Sequence, residues 1–412
     1  EMCKSHRTLL SLFTYSTFYH KFLFLKSFMS GKIKLYTNKK TCRICDTCGG
    51  NILKKALKIT GIILLALLVL FGGYLVYLFS SYHRIEDNQV ITPGGTSALE
   101  VGVPTGKDLQ VTAWNIGFAA YTDQYSFFMD GGKYSRAFSK EAVIENMDDI
   151  TAELAGFDSD FYLIQEVDTD STRSYHVNES EILTNRLGDE ASRSYTFAMN
   201  YDSPYLFYPF TKPHGKSKSG LLTISDYAIE SSMRRSLPVQ TDVAKIMDLD
   251  RCYVINRIPA ENGKELVLIH FHLSAYTTDP TIADRQLEML YEDMCAEYAK
   301  GNYVICGGDF NKDLLGDSSV YFGISKENYS WARRFPIESL PEGFSLVAPL
   351  DEDFPVPSAR NADSPWDPET NFQITLDGFM VSDNVKVNKS NVVDTQFKYS
   401  DHNPVQLDFR LE

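Results

Sequence analysis

Between Ile59 and Ser80 the chain carries no charged side chain: Ile-Thr-Gly-Ile-Ile-Leu-Leu-Ala-Leu-Leu-Val-Leu-Phe-Gly-Gly-Tyr-Leu-Val-Tyr-Leu-Phe-Ser. At ~1.5 Å per helical residue such a run matches a ~30 Å hydrocarbon layer. Lys54, Lys55 and Lys58 flank one end, and Tyr74 and Tyr77 lie toward the other, where an aromatic belt belongs. A cleaved signal has an apolar stretch of only ~7–15 residues followed by small residues. Here Leu-Phe-Ser-Ser-Tyr-His follows, so a retained single span at 59–80 is expected.

Charge is divided across that span. Residues before Ile59 hold 12 Lys/Arg against 2 Asp/Glu, and the remainder holds 28 against 52, a balance of −24. A basic stub places residues 1–58 in the cytosol and the acidic remainder outside. Met29-Ser30-Gly31-Lys32 reads as a more natural start than Glu1, so residues 1–28 are expected to be absent from the native protein. Cys42, Cys45 and Cys48 have metal-ligand spacing but lack a fourth ligand; reduced thiols without a role are expected. Only Cys252, Cys295 and Cys306 follow the span, which implies no disulfide framework.

Residues 81–106 are polar and hold Pro93-Gly94-Gly95, the composition of a linker. From 107 to 412 short apolar runs recur, among them 109–114, 161–164, 220–224, 265–271, 303–306 and 405–409. Their length and β-branched or aromatic content predict buried strands. Helical patterns intervene at 138–154, opening near Ser139, and at 281–298. With 43% hydrophobic and 23% charged residues a sizeable core is expected and global disorder excluded. Strands mixed with helices, without strict alternation, predict an α+β class of sheets packed face to face with helices outside.

Polar clusters sit on or just after these runs: Trp114-Asn115, Gln165-Glu166, His272-Leu273, Gly307-Gly308-Asp309-Phe310-Asn311, Leu376-Asp377-Gly378 and Ser400-Asp401-His402. A carboxylate at a buried strand end is costly unless paired or metal-bound. Phosphoester hydrolysis needs carboxylates for a hard cation, a positioned base, and donors for charge growing on the phosphoryl oxygens. The clusters supply those residue types. Asp309 and Asn311, two apart in an extended segment, would point to one side. The two glycines before them would let the backbone approach a ligand. His270 alternates with His272 but lies deeper in its strand, and a core role is expected.

In order and spacing the clusters, with Ser219-Gly220-Leu221-Leu222-Thr223-Ile224-Ser225 between them, resemble the endonuclease/exonuclease/phosphatase (DNase I-like) superfamily over 107–412. That superfamily includes DNase I-like nucleases, apurinic endonucleases, sphingomyelinases and inositol polyphosphate 5-phosphatases. The resemblance implies a four-layer α/β/β/α sandwich with the site at one end of its sheets. It implies Glu166, with Asn115 and Asp401, as ligands of Mg²⁺, with Mn²⁺ as the alternative. It implies Asp309 as the group that activates or orients water, and Asn311 and His272 as phosphate contacts. His402, paired with Asp377, would stabilise the transition state. Lys216-Ser217-Lys218 stands where many relatives carry Tyr or Glu; Lys218 would hold a phosphate, and abasic-site repair is disfavoured.

The partners expected are therefore a membrane, through the single helix, and a phosphoester, with the protein acting as a monomer. The phosphoester is a nucleic acid, a lipid head group or a small molecule. Lys212, Lys216, Lys218, Arg234 and Arg235 form a candidate basic patch, with Tyr201, Tyr205, Phe207, Tyr208 and Phe210 just before it. The acidic balance disfavours tight nucleic-acid binding. A sandwich that only binds, without catalysis, is the reading from a different class.

Overall fold

The computed structural model describes residues 45–95, 101–189, 192–239, 250–275, 279–325, 327, 329 and 331–412. Residues 1–28 and Cys42 lie outside these, as do the side chains of Cys45 and Cys48. The chain divides into two units, Glu1–Gly73 and Tyr74–Glu412. Helix α1 (Cys45–Ser81) contains, at Leu53–Ser81, the one helix among the described residues long and apolar enough to cross a membrane. The second unit opens in its last turns.

That unit holds two βαβ turns. Strand β2 (Leu109–Asn115) leads through α2 (Lys140–Phe157) into β3 (Phe161–Asp168), which pairs parallel with β2. Strand β8 (Glu265–His272) leads through α4 (Pro280–Tyr298) into β9 (Tyr303–Asp309), again parallel. Each helix starts where the sequence offers a cap: the Ser139 hydroxyl accepts from Ala142 N, and Asp279 accepts from Thr281 N. The short helix α3 (Glu179–Leu183) follows β3.

Antiparallel strands extend each pair. In the six-stranded sheet β14 (Val385–Val392) and β15 (Val405–Leu411) flank β2, while β5 (Lys218–Ser225) and β4 (Ser194–Asp202) flank β3. In the seven-stranded sheet β1 (Gln89–Ile91), β6 (Ser231–Ser236) and β7 (Cys252–Pro259) precede β8. Beyond β9 lie β13 (Asp377–Ser382) and β10 (Phe344–Val347), while β11 (Ala359–Arg360) and β12 (Gln373–Ile374) pair with each other apart from both sheets. Strand β1 and the buried Val103 fall within 81–106, so part of the expected linker instead caps a sheet edge.

Strand alternation decides the layers. Val111, Ala113, Phe161, Leu163, Leu407 and Phe409 meet Leu266, Leu268, Ile305, Phe379 and Val381 in one core between the sheets. The intervening Trp114, Tyr162 and Ile164 pack on Val143, Met147, Ile150 and Leu154 of α2. On the other side Val267, Ile269, Phe271 and Val304 pack on Leu287, Leu290 and Met294 of α4. The result is the four-layer α/β/β/α sandwich. Parallel pairing then puts the ends of β2, β3, β8 and β9 at one edge of the sheets. Antiparallel pairing of β13 with β9 and β15 with β2 brings Asp377 and the residues before Val405 to the same edge.

At the opposite end of α4, buried Glu297 accepts from Arg257 Nη1 (2.6 Å) and Nη2 (2.7 Å), Lys300 Nζ (2.8 Å) and Asn302 Nδ2 (3.1 Å). Burial alone would raise this carboxyl; Arg257 and Lys300 overcome it and lower it from 4.5 to about 2. A carboxyl depressed by folding stabilises above its unfolded value and loses that contribution as pH falls toward the folded one. Glu297→Gln is therefore expected to cost about 1.5–3 kcal/mol at neutral pH. In urea unfolding measured against pH, the gap to the parent should close between 4.5 and about 2.

Candidate active site

Asp309 closes β9 and is almost wholly buried. Its Oδ2 lies 3.2 Å from the Nδ2 of Asn115, which donates to it, 3.3 Å from His272 Nε2 and 3.9 Å from His402 Nε2. Its Oδ1 accepts the backbone N–H of Asn311 at 2.7 Å. Burial opposes the charge on Asp309, but the imidazoles of His272 and His402 and the Asn311 bond hold it well below the usual carboxylate range. Burial pushes His272 down, and Arg251 repels its charge further. We therefore take His272 as neutral, with its Nε2–H directed at Asp309.

His402 behaves oppositely. Its Nδ1 lies 2.9 Å from Asp377 Oδ2, which also accepts from Ser358 Oγ at 2.7 Å. Burial lowers this imidazole, but the Asp377 carboxylate, then Asp401 and Asp309, raise it to about 10. It is a cation at neutral pH. The Trp114 indole donates to the His402 carbonyl at 2.8 Å and fixes the turn that carries it.

Glu166 reaches the site through a departure from strand geometry. Pairing between β3 and β5 shifts register between Ile164 and Val167, and Glu166 takes φ +57°. A bulge of this kind re-aims a side chain. Gln165 instead points inward, its Nε2 2.7 Å from His270 Nε2, and Thr223 meets the other ring nitrogen at 3.0 Å. His270 is thus the core histidine expected. Asn115 Nδ2 also donates to Glu166 Oε1 at 3.3 Å.

Asp401 precedes His402 and lines the same cavity as Asn115 and Glu166. Burial raises its carboxyl to about 6; His402 and Arg360 oppose the rise, and Glu166 adds to it. A second carboxylate close enough to raise Asp401, with a neutral amide beside them, suits a divalent cation. A Cβ on Gly117 would stand 3.2 Å from Asp401 Oδ1, so only glycine leaves that side open. A second group, Asp309, Asp377 and His402, also has ligand atoms within 4.8 Å of one another. Its atoms are already joined through the His402–Asp377 bond.

Two expectations change in mechanism. Asp309 and Asn311 do meet, but by a turn: Asn311 has φ +51°, its N–H bonds the Asp309 side chain, and its Nδ2 donates to Leu273 O at 2.9 Å. Nor do Gly307 and Gly308 serve ligand approach. A Cβ on Gly307 would strike Phe379 and Leu163, and one on Gly308 (φ +141°) would lie 2.1 Å from Phe271 O. The glycines let the sheets and strands close. Lys218 does not line the cavity; its Nζ pairs with Asp202 at 3.4 Å. The basic patch is likewise dispersed. Lys216 pairs with Asp170, Arg235 with Asp87 and Asp293, and Arg234 is buried on the carbonyls of Met199 and Asp250.

The cavity holds about 360 Å³. Its floor is the cluster above; its walls include Tyr121, Phe127, Phe128, Met129, Tyr208 and Trp331. Sequence reasoning missed Arg173, Arg251 and Arg360, which also line it. All three are buried arginines: Arg173 lies in a turn, Arg251 directly precedes β7, and Arg360 ends a two-residue strand.

The sequence pattern of the Endonuclease/Exonuclease/phosphatase family matches residues 112–402. The chain belongs to this family. It is an enzyme that hydrolyses phosphoester bonds. No curated protein matches the sequence. A solved endonuclease/exonuclease/phosphatase from Beutenbergia cavernae DSM 12333 is similar in fold, with TM-score 0.50 and 15% identity over 74% of this chain and 72% of that one. The human Nocturnin catalytic domain with bound sulfate gives TM-score 0.46 at 17% identity, covering 78% and 97%. ANGEL2, a 2',3'-cyclic phosphatase, in complex with adenosine-2',3'-vanadate gives 0.49 at 15%, covering 80% and 100%.

In this family member Arg173 braces the loop after β3. It holds Asp168 through Nε (3.0 Å) and Nη2 (2.8 Å) and lies 3.8 Å over the Phe118 ring. Asp168 in turn sits beside buried Glu179. Arg173→Met would leave Asp168 buried beside a second carboxyl. A loss of about 3–5 kcal/mol in urea unfolding is expected.

Proposed function

We propose that the protein is a Mg²⁺-dependent phosphoesterase acting at the outer face of a membrane, with Mn²⁺ as an alternative ion. The observation that carries this is the shared Asp309 carboxylate, ionised in a buried site between a neutral and a protonated imidazole. Glu166, Asn115 and Asp401 would hold the cation. When bound, it supplies positive charge to a phosphoryl oxygen and neutralises the two carboxylates.

Asp309 accepts a hydrogen bond from the attacking water. Held so far below the ordinary range, it is better suited to orient that water than to remove its proton before attack. As the new phosphorus–oxygen bond forms, the water's proton passes to the carboxylate and the bond to the leaving group breaks. The His402 imidazolium, pinned by Asp377, faces the charge that grows on phosphorus oxygens. The second Nδ2 hydrogen of Asn311 offers a neutral donor beside it, while the single N–H of neutral His272 stays on Asp309. Lys218 has no part.

The favoured substrate presents one phosphoester on an organic group that is partly apolar. Aromatic walls surround the cluster, and the dispersed basic residues leave no track for a polyanion. Hydrolysis of bis(p-nitrophenyl) phosphate, blocked by EDTA, is expected from the full-length protein in detergent, with plasmid DNA cut poorly. Efficient metal-dependent DNA cleavage would instead make it a surface nuclease.

Asp309→Ala and His402→Ala are each expected to lower kcat about 10²–10⁴-fold in a folded protein. Parental turnover in both would leave only the binding-module reading. Asp377→Asn removes the carboxylate that raises His402, so the imidazolium is lost at lower pH. The alkaline fall of the kcat profile should move downward in that variant.

A further inference from the structure

The loop between β4 and β5 puts large apolar side chains in water: Phe207 is 50% exposed, Tyr208 58% and Phe210 76%. Met129, from another loop, is 61% exposed. They form one patch, since Phe210 lies 6.3 Å from Phe207 and 5.8 Å from Tyr208, and Tyr208 lies 5.8 Å from Phe128. Phe128, Met129 and Tyr208 also line the active-site cavity. The patch is therefore the rim of the cavity mouth. Core packing does not explain it, and contiguous exposed apolar surface marks a contact with something.

What it contacts is indicated by the two tyrosines in the helical turns that open the second unit. Tyr74 and Tyr77 lie in the apolar helix Leu53–Ser81. Within the second unit the Tyr74 hydroxyl accepts from Phe207 N (2.9 Å) and donates to Tyr205 O (3.2 Å). Tyr77 OH accepts from Tyr205 N at 3.0 Å. The Tyr74 and Phe207 rings are 6.3 Å apart. Aromatic rings with a polar tip are the side chains that settle at a bilayer interface. Exposed Lys133 and Lys212, near the same two loops, suit lipid phosphates.

We propose that the rim of Met129, Phe207, Tyr208 and Phe210 rests in the interface of the bilayer that α1 crosses, so that the cavity opens onto the membrane surface. This rests on the phosphoesterase reading for its purpose and on α1 as a span. The phosphoesters that reach Asp309 then come from amphiphiles held in that surface. Their head groups enter the floor while the adjoining apolar part meets the aromatic wall.

The test uses full-length protein in phosphatidylcholine nanodiscs, with and without lipids brominated high on the acyl chain. Phe210→Trp adds a reporter at the rim. Val387→Trp adds one on β14, at the sheet edge opposite the strand that leads into the rim. The signal of the native Trp114, Trp331 and Trp366 is subtracted using the parent protein. Brominated lipid should quench the added emission of Phe210→Trp at least twofold and leave that of Val387→Trp unchanged. Quenching of Phe210→Trp no greater than that of Val387→Trp overturns the proposal. Bis(p-nitrophenyl) phosphate turnover in the same discs separates the two readings. Quenching without turnover removes the phosphoesterase and keeps the surface; turnover without quenching does the reverse.

Discussion

A carboxylate that is almost fully buried yet ionised, as Asp309 is, must be met on every side by donors, because the cost of an unpaired buried charge is several kcal/mol. It is met from separate parts of the chain: by donors from Asn115 on β2, His272 on β8 and the Asn311 backbone beyond β9, and by the charge of His402, 3.9 Å away, from the turn before β15. The two sheets have to meet at this edge in one relative position for all four to reach it. The sandwich core of Val111, Phe161, Leu268 and Ile305 sets that position. Packing and catalysis are thus coupled through one charge.

The two imidazoles differ although both face the same carboxylate. His402 has a second carboxylate behind it and is a cation; His272 has Arg251 nearby and is neutral. The same residue type therefore supplies two different donors. The difference comes from what stands behind each ring, which is where Asp377 and Ser358 matter. Similarly, Glu166 and Gln165 are neighbours in sequence with opposite fates, and a one-residue bulge separates them.

The proposed substrate and membrane surface rest on how charge and apolar rings are distributed around the cavity. Acidic residues pair with Lys216, Lys218 and Arg235 of the expected basic patch. The rings beside them remain in the open at the cavity mouth. The charged floor and aromatic collar are what the proposal of an amphiphile, polar at one end and apolar at the other, rests on.

Much of this was determined by the sequence alone. The uncharged run at 59–80 sets, by composition, a helix long and apolar enough to span a bilayer, since no folding partner is needed to make it apolar. Strand runs ending in Asn115, His272 and Asp309 were legible because alternation and strand ends are local properties. The cap at Ser139 was legible for the same reason. Only tertiary structure decided the rest. Lys218 looked free until Asp202 lay beside it, and Arg234 looked exposed until β6 was buried on Met199 and Asp250. The bulge at Glu166, the turn at Asn311 and the glycines that close the strands are answers to packing between distant segments. Arg173, Arg251 and Arg360 carry no local signal, because a buried cation is specified by the carboxylates and carbonyls that surround it, and those arrive from elsewhere in the chain.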